Sequence, residues 1–426
     1  MNNRYDVVVI GGGPAGMMAA ARAASLGAKV LLMDKNEGLG RKMLITGGGR
    51  CNLTNDAAMD EMIANIPGNG KFVYSALHRF SGQDLRVFFK QLGIPTKMEE
   101  RGRVFPVSDR AGDVVAALEK HLRQVGVTIL YGSPVDGLMV QENRCLGVRT
   151  GERTYPAGAV VLATGGMSYP KTGSTGEGYK MAKQVGHSIN KLFPSAVAVT
   201  CGDDWIANRQ VQGLSLPGVT IRVYNQRGKM IAAEAGDVIF THWGLSGPGV
   251  LRVGRTVALE RQKEPTAVLK GTIDLFPGQP QGDLEQQIAN KVLAGDRRSV
   301  KNLLTDLLPE RMARVMVTLA GMDPETSAMK LNLNKNDMQN LVAFMKGLPL
   351  QITGTRPIEE ATVTGGGVNI KEVDPRTMGS KLISGLFFAG EVLDVDAHTG
   401  GFNMQVAFST GAVAGESAAA FVKGNS

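Results

Sequence analysis

The run Gly11-Gly12-Gly13-Pro14-Ala15-Gly16 constrains this chain more than any other feature. It follows a short apolar segment, Asp6 to Ile10, and opens an Ala/Met-rich segment of helical character, Pro14 to Leu26. A second apolar segment, Lys29 to Met33, ends at Asp34. Strand, glycine turn, helix and strand within about 30 residues make a βαβ unit. Gly11, Gly13 and Gly16 fill the GxGxxG positions. The first glycine makes the tight turn, the second lets backbone approach a pyrophosphate, and the third lets helix and strand pack closely. Pro14 and Ala15 stand at the helix N-terminus, where free N–H groups and the helix dipole favour the negative pyrophosphate. Asp34 lies where an acid binds the ribose hydroxyls. Taken alone, this unit accommodates NAD or FAD.

Two later strand-end turns narrow the choice. Ala159 to Ala163 reads as a buried strand and is stopped by Thr164-Gly165-Gly166. Gly385 to Ala389 reads as another, followed by Gly390 and Glu391. Such turns are expected of large flavoproteins of the two-dinucleotide-fold type, and Glu391 stands where those folds place an acid on the ribityl chain. No second GxGxxG occurs. The expected cofactor is therefore FAD, with any nicotinamide reductant bound only transiently.

At 426 residues the chain is too long for one typical domain. Its 43% hydrophobic and 20% charged content is that of a globular protein rather than a disordered one. Three cysteines, Cys51, Cys145 and Cys201, form no CxxC pair, so neither a metal site nor a disulfide framework is expected. The chain reads as reduced and cytoplasmic. The uncharged stretch Val7 to Ala24 resembles a membrane segment in composition, but its glycines, Arg22 and the absence of a basic leader favour the dinucleotide fold. No membrane partner is expected. A net charge of +8 suits a polyanion such as RNA, although a mildly basic enzyme would show the same.

Further along, Gly82 to Leu92 and Asp113 to Gln124 read as amphipathic helices. Val135 to Val140, Arg144 to Thr150 and Arg153 to Tyr155 read as a small β-meander. Near residue 190 the character changes. Ala196 to Thr200, Val219 to Tyr224, Lys229 to Ala233 and Ala267 to Leu275 alternate like barrel strands. Asp283 to Met322 and Asn336 to Lys346 read helical, and a last helix runs from about Asn403 to Phe421. The predicted class is α/β: a discontinuous Rossmann-type FAD-binding domain (1–190 and 367–426), an inserted β-barrel-like domain (191–280, with return strands at 347–366) and a small nested helical domain (281–346).

Three more motifs carry candidate site residues. Gly40-Arg41-Lys42 precedes Thr46-Gly47-Gly48-Gly49-Arg50-Cys51-Asn52. Glycines between cations suit backbone passing close to a phosphate or a flavin ring, which makes Gly48, Gly49, Arg50, Cys51 and Asn52 candidates; the bland alternative is a surface loop. Asp394-Val395-Asp396-Ala397-His398-Thr399-Gly400-Gly401-Phe402-Asn403 enters the last helix. That helix end would face the edge of a flavin that becomes negative on reduction. It makes Asp396, Gly400, Gly401, Phe402 and Asn403 candidates. Thr241 to Pro248 either closes over a site or is a structural turn with a packed Trp.

GGGPAG, GRKMLITGGGRCN, ATGGMSYPKTGSTGEGY, THWGLSGP, ATVTGGGV and LFFAGEVLDVDAHTGGFNMQ occur in this order. Together they resemble the HI-0933-like flavoprotein family, also called YhiN or BaiN-like, over essentially the whole chain. The resemblance implies the same three-part architecture. It also implies FAD contacts at Gly13, Ala15, Asp34, Lys35, Arg41, Lys42, Val135, Gly166, Gly390, Glu391, Gly401, Phe402 and Asn403. Family members do not share one activity, so the resemblance fixes cofactor better than substrate. The leading expectation is hydride transfer from flavin N5 to an activated C=C, with uridine of 23S ribosomal RNA, giving dihydrouridine, as the first candidate. The alternatives are an aminoketone oxidase that passes electrons to O₂ and makes peroxide, an enone reductase on a steroid-like molecule, and a non-enzymatic flavin-bound RNA-binding or assembly factor. NAD(P)H is the expected donor for a reductase. Cys51 is the preferred proton donor and His398 the reserve, against the bland reading of Cys51 as a packing residue.

Overall fold

The computed structural model describes residues 4–293, 298–327 and 335–424. The chain divides into two compact units, Met1–Ser195 with Ile358–Ser426, and Ala196–Pro357.

The first unit opens with β1 (Tyr5–Ile10), α1 (Pro14–Ser25) and β2 (Val30–Met33), which form the expected βαβ unit. Then come β3 (Thr54–Asn55), α2 (Met59–Ala64), α3 (Tyr74–Arg79), α4 (Gly82–Gln91), β4 (Thr96–Met98) and β5 (Arg103–Pro106). Strands β3, β5 and β4 pair antiparallel in a separate small sheet. Helix α4 starts where it does because Ser81 and Asp84 form a reciprocal capping box. The chain returns through α5 (Ala111–Gln124) and β6 (Thr128–Leu130) to β7 (Gly137–Gln141), β8 (Arg144–Thr150) and β9 (Arg153–Leu162), then α6 (Glu177–Gln184) and β10 (Ile189–Ser195). Two segments read separately in the sequence, the end of the meander and the buried strand, are one strand, β9. Its first half pairs antiparallel with β8, and its second half runs parallel to β1. The switch from polar to apolar residues midway along β9 disguised this continuity. Val135, expected to begin the meander, precedes β7 and is buried in the core.

The second unit consists of β11 (Val199–Cys201), α7 (Asp204–Ala207), β12 (Ser215–Tyr224), β13 (Met230–Phe240), β14 (Gly244–Ser246), α8 (Pro248–Lys263), β15 (Leu269–Asp274), α9 (Gln281–Leu293), α10 (Val300–Leu304), α11 (Glu310–Leu319), α12 (Lys335–Lys346) and β16 (Leu348–Thr355). Its strands close a barrel in the order β11-β14-β13-β12-β15-β16. Helix α8 was missed in the sequence. It buries Val250, Val253 and Val257 in the same core as barrel residues Ile221 and Phe240. Within Thr241 to Pro248, Gly244 and Gly247 have positive φ, and a Cβ on either would collide with backbone of Val199 or Asp237. The glycines there are demanded by the barrel's own turns. Leu303, Met312 and Met345 of the helices belong to the barrel core as well. Residues 294–297 and 328–334 of the expected helical domain lie outside the described residues.

The chain returns to the first unit with β17 (Val363–Val368), β18 (Leu386–Phe388) and α13 (Phe402–Gly424). β17 pairs with β10, so 191–195 and 358–366 group with the first unit rather than with the barrel. The main sheet runs β6-β2-β1-β9-β8-β7, with β18 parallel to β9. Its central strands are buried on both faces, as a covered parallel sheet requires.

Candidate functional site

The turn after β1 has its glycines for two different reasons. Gly11 has φ +101°, and a Cβ on it would press on the Ala163 carbonyl. A Cβ on Gly16 would overlap the Gly11 carbonyl oxygen. These two are fixed by packing of β1, α1 and β9. Gly13 is different: its φ of −77° is open to any residue, and a Cβ there would meet no protein atom within 4 Å. Space stands open over Gly13, at the N-terminus of α1, and no side chain caps that terminus. Pro14 is the first helical residue and Ala15 is buried behind it.

Asp34 follows β2. Its Oδ2 accepts the Gly12 N–H at 2.6 Å, and its Oδ1 accepts the Asn36 N–H at 2.8 Å and Asn36 Nδ2 at 2.9 Å. Each carboxylate oxygen has two acceptor sites, so Oδ2 keeps one in reserve. Lys35 pairs with Glu177 at 2.7 Å and also reaches Thr175. Arg41, exposed, donates to Asn36 Oδ1 at 3.2 Å.

A second cluster lies around Glu391, in the turn after β18. Lys42 Nζ donates to Glu391 Oε2 at 3.0 Å and Oε1 at 3.2 Å. Glu391 Oε1 also accepts from Ser168 Oγ at 3.0 Å and from the Thr364 N–H at 2.8 Å. Ser168 Oγ accepts from Lys42 at 2.7 Å and from Thr364 Oγ1 at 3.2 Å. The Thr364 hydroxyl oxygen in turn accepts the N–H groups of Met167 and Ser168. Ser168 and Thr364 were not singled out in the sequence, although each lies inside a quoted motif. Gly165 has φ +72°, and a Cβ on Gly166 would overlap the Thr364 hydroxyl, so this turn is pressed against β17. Thr164, just before it, has a buried hydroxyl with no protein partner. Gly390, φ +75°, donates its N–H to Thr410 Oγ1 on α13 at 2.9 Å.

In the loop after Lys42, Gly47, Gly48 and Gly49 have left-handed φ of 58°, 69° and 86°, and Arg50 is right-handed at φ −95°. Cys51, at φ 65°, ends it. Cys51 is fully buried in the first unit's core, and burial pushes its thiol up to about 12. Arg50 turns toward Glu99, at 2.8 Å, and Asp109, at 3.4 Å, with its guanidinium 4.0 Å from the Phe105 ring centroid. The hydrogen bond to Glu99 holds Arg50 above its usual pKa. Asn52, with its amide oriented to satisfy its neighbours, accepts the Gly401 N–H at 3.0 Å and donates to Val104 and Thr54 carbonyls.

Gly400 and Gly401 have φ of 133° and 100° at the entry to α13. Asn403 ties this entry to the preceding turn. Its Oδ1 accepts the Ala397 N–H, and its Nδ2 donates to the carbonyls of Ala397 and His398. Asp396 is buried and accepts from Ser195 Oγ at 2.7 Å. His398 is half-buried, and its N–H donates to the Asn65 carbonyl at 2.9 Å. Phe402 is buried. Val135 lies in the same core; its side chain is apolar, so a polar contact there would come from its backbone.

This arrangement fits a dinucleotide. The open cradle over Gly13 suits a pyrophosphate, and the spare acceptor capacity of Asp34 Oδ2 and Glu391 Oε2 suits hydroxyl donors. Fold and cradle together are those of a dinucleotide-binding protein, and the family and relatives it matches make it an oxidoreductase of the flavoenzyme type, an enzyme rather than a passive binding protein. The chain belongs to the HI0933-like Rossmann-domain family, whose model matches residues 5–417. It is 34% identical over 413 residues to a ribosomal RNA dihydrouridine synthase from Escherichia coli K12, covering 96% of each chain. It is 30% identical over 415 residues to a 3-dehydro-bile acid delta(4,6)-reductase from Clostridium scindens, covering 96% of this chain and 98% of that one. Among solved structures, a 3-ketosteroid-delta4-(5alpha)-dehydrogenase from Rhodococcus jostii RHA1 superposes with a TM-score of 0.53 at 18% identity, over 98% and 97% of the two chains. That likeness is one of fold. No helix among the described residues is long and apolar enough to cross a membrane.

Proposed function

We propose that the chain binds FAD and reduces a C=C conjugated to a carbonyl, with uridine in ribosomal RNA as its substrate. The observation that carries this reading is the pair of full-length relatives named above. One name specifies a saturated uracil ring as product, and the other specifies reduction at conjugated positions of a bile acid. The RNA substrate is favoured because a second RNA enzyme of the same name, from Haemophilus influenzae, is 31% identical over 420 residues.

Bound FAD, once reduced by a nicotinamide donor, supplies the hydride. The chain's own residues hold and orient. The α1 N-terminus and Gly13 take the pyrophosphate. Asp34 accepts from the adenosine ribose, with Lys35 and Arg41 as flanking cations. Glu391, fixed by Lys42, Ser168 and Thr364, would accept from the ribityl hydroxyls. The entry to α13 at Gly400 and Gly401 would border the flavin. His398 is the proton donor in this reading. Cys51 is a packing residue, because a fully buried thiol reaches neither solvent nor a substrate.

Mapping dihydrouridine in large-subunit ribosomal RNA from a deletion strain, with and without a plasmid copy, tests the proposal. Loss of one dihydrouridine, restored by the wild-type gene and by Cys51→Ala but not by His398→Gln, is expected. Persistence of every dihydrouridine would exclude the RNA substrate. Reduction of a bile-acid enone by the purified protein would then favour the small-molecule reading instead.

A further inference from the structure

We propose that the outer face of the barrel, where β12, β13, β15 and β16 lie side by side, is a docking surface for single-stranded RNA. This rests on the RNA reading above and adds where the strand would lie.

Alternation along each strand fixes which residues face out. Ile221, Val223, Leu269, Ile273, Leu350 and Ile352 are buried in the barrel core. Their neighbours Arg222, Tyr224, Lys270 and Gln351 therefore point outward. The register sets them in a row: Tyr224 is the partner of Lys270, and Lys270 is the partner of Gln351. Across the other edge Tyr224 faces Met230, which is 51% exposed. The turn between β12 and β13 adds Arg227 and Lys229, both exposed.

Acids on these strands do not neutralise the face. Glu234 is the partner of Ile221, so it shares the inward side, 3.6 Å from Arg252. Asp274 is buried and held by Lys346 at 3.0 Å and Arg222 at 3.5 Å. Asp237 lies toward the other end of β13 and accepts the Gly218 N–H. What remains is a surface with one phenol ring, a thioether beside it, an amide and three exposed cations; the carboxylate beside Gln351, that of Asp203, is buried and accepts the Gln351 N–H at 2.9 Å. A ring for stacking a base and cations for the phosphates on either side are what an unpaired strand requires. The exposed cations favour an extended polyanion over an apolar protein partner.

The test is binding of a labelled single-stranded oligouridylate to the full-length, flavin-loaded protein at several salt concentrations. Wild type should bind more weakly as salt rises. The triple variant Arg227→Glu, Lys229→Glu, Lys270→Glu should lose most affinity, with the log–log salt slope reduced by about 2. Tyr224→Ala should bind at least roughly fivefold more weakly with the slope unchanged, and Tyr224→Phe should bind like wild type. Unchanged flavin content and melting temperature verify that the variants are folded. If wild type binds RNA and the variants bind equally well, this surface is wrong while the RNA reading stands. If wild type binds no RNA, both fall. If Tyr224→Ala changes only self-association in sedimentation, the face is a contact between copies of the chain and the proposal is overturned.

Discussion

The Lys42 ammonium donates to both carboxylate oxygens of Glu391, a residue 349 positions away in the chain. Both side chains are about four-fifths buried, at 22% and 21% exposure. The pair closes the first unit at the point where its last segment returns. Lys42→Met should leave Glu391 with the Ser168 and Thr364 donors only. A part-buried carboxylate that loses its cation destabilises the fold, by about 1–3 kcal/mol here, below the range for fully buried pairs. Urea denaturation measures this, and FAD retained through gel filtration measures the effect on the site. A variant that keeps full stability and full FAD would remove the pair from both roles.

Helices α1 and α13 meet through glycine. A Cβ on Gly411 would overlap the Ala15 carbonyl, and one on Gly415 would overlap the Ala19 carbonyl. The helices therefore touch backbone to backbone. Gly415→Ala gains about 1 kcal/mol of helix propensity but must push the helices apart, at about 1–3 kcal/mol. The expected net effect is a loss of stability, larger for Gly415→Val. A thermal melt that rises on Gly415→Ala would show that the contact is looser than the structure has it.

Local features were legible and long-range ones were not. The turn Gly11 to Gly16 and Asp34 could be read because their constraints lie within one βαβ unit. Helix α13 was legible from its composition, yet its contact with α1 was not, since nothing in Gly411-x-x-x-Gly415 says which helix will face it. Glu391 could be placed by its strand-end position. Its partners Ser168 and Thr364 could not, because one lies in the loop after β9 and the other on β17, and they meet only when β17 lies beside that loop. Cys51 misled: a cysteine among glycines and cations looks exposed, whereas the left-handed turn at Gly47 to Gly49 rotates it into the core. The row Tyr224, Lys270 and Gln351 on the barrel was equally hidden, for its members come from three strands.

Tyr169 sits at φ 52° and ψ 60°, directly before Pro170. The left-handed region is unfavourable for a bulky residue, and a following proline also disfavours helical backbone. Bonds hold it there: its N–H donates to the Glu359 carbonyl at 3.1 Å, and its carbonyl accepts from the Thr172 N–H at 2.8 Å. The strain is worth about 1–3 kcal/mol. Tyr169→Gly should therefore raise the melting temperature, despite the larger chain entropy of glycine. Tyr169→Ala keeps the strain and should not. Equal effects from both would mean that the ring, not the backbone, governs stability at this position.

His187 has no exposed side-chain surface. One ring nitrogen, Nδ1, lies 3.1 Å from Glu372 Oε2, and the other, Nε2, lies 2.8 Å from Ser380 Oγ. The Ser380 oxygen already accepts the N–H groups of Leu382 and Ile383. Its proton is left to donate to Nε2, so the neutral ring carries its hydrogen on Nδ1 and gives it to Glu372. The oxygen's acceptor sites being filled, this trio is a latch and not a nucleophile with its base. Burial lowers the His187 pKa, and the Glu372 contact only partly offsets that. For a histidine lowered on folding, the unfolded chain binds the extra proton first. The stabilising contribution is thus complete above the unfolded value of about 6.5, and it is lost as pH falls from there toward the folded value. Burial raises Glu372, but its bonds to Ser188 and His187 outweigh that and hold it below the ordinary carboxylate range, so its own contribution fades only at lower pH. Melting temperature should hold steady above about pH 7 and decline below about 6.5. His187→Gln should be less stable at neutral pH and lose less on acidification; parallel melting curves for the two proteins would place the acid sensitivity elsewhere.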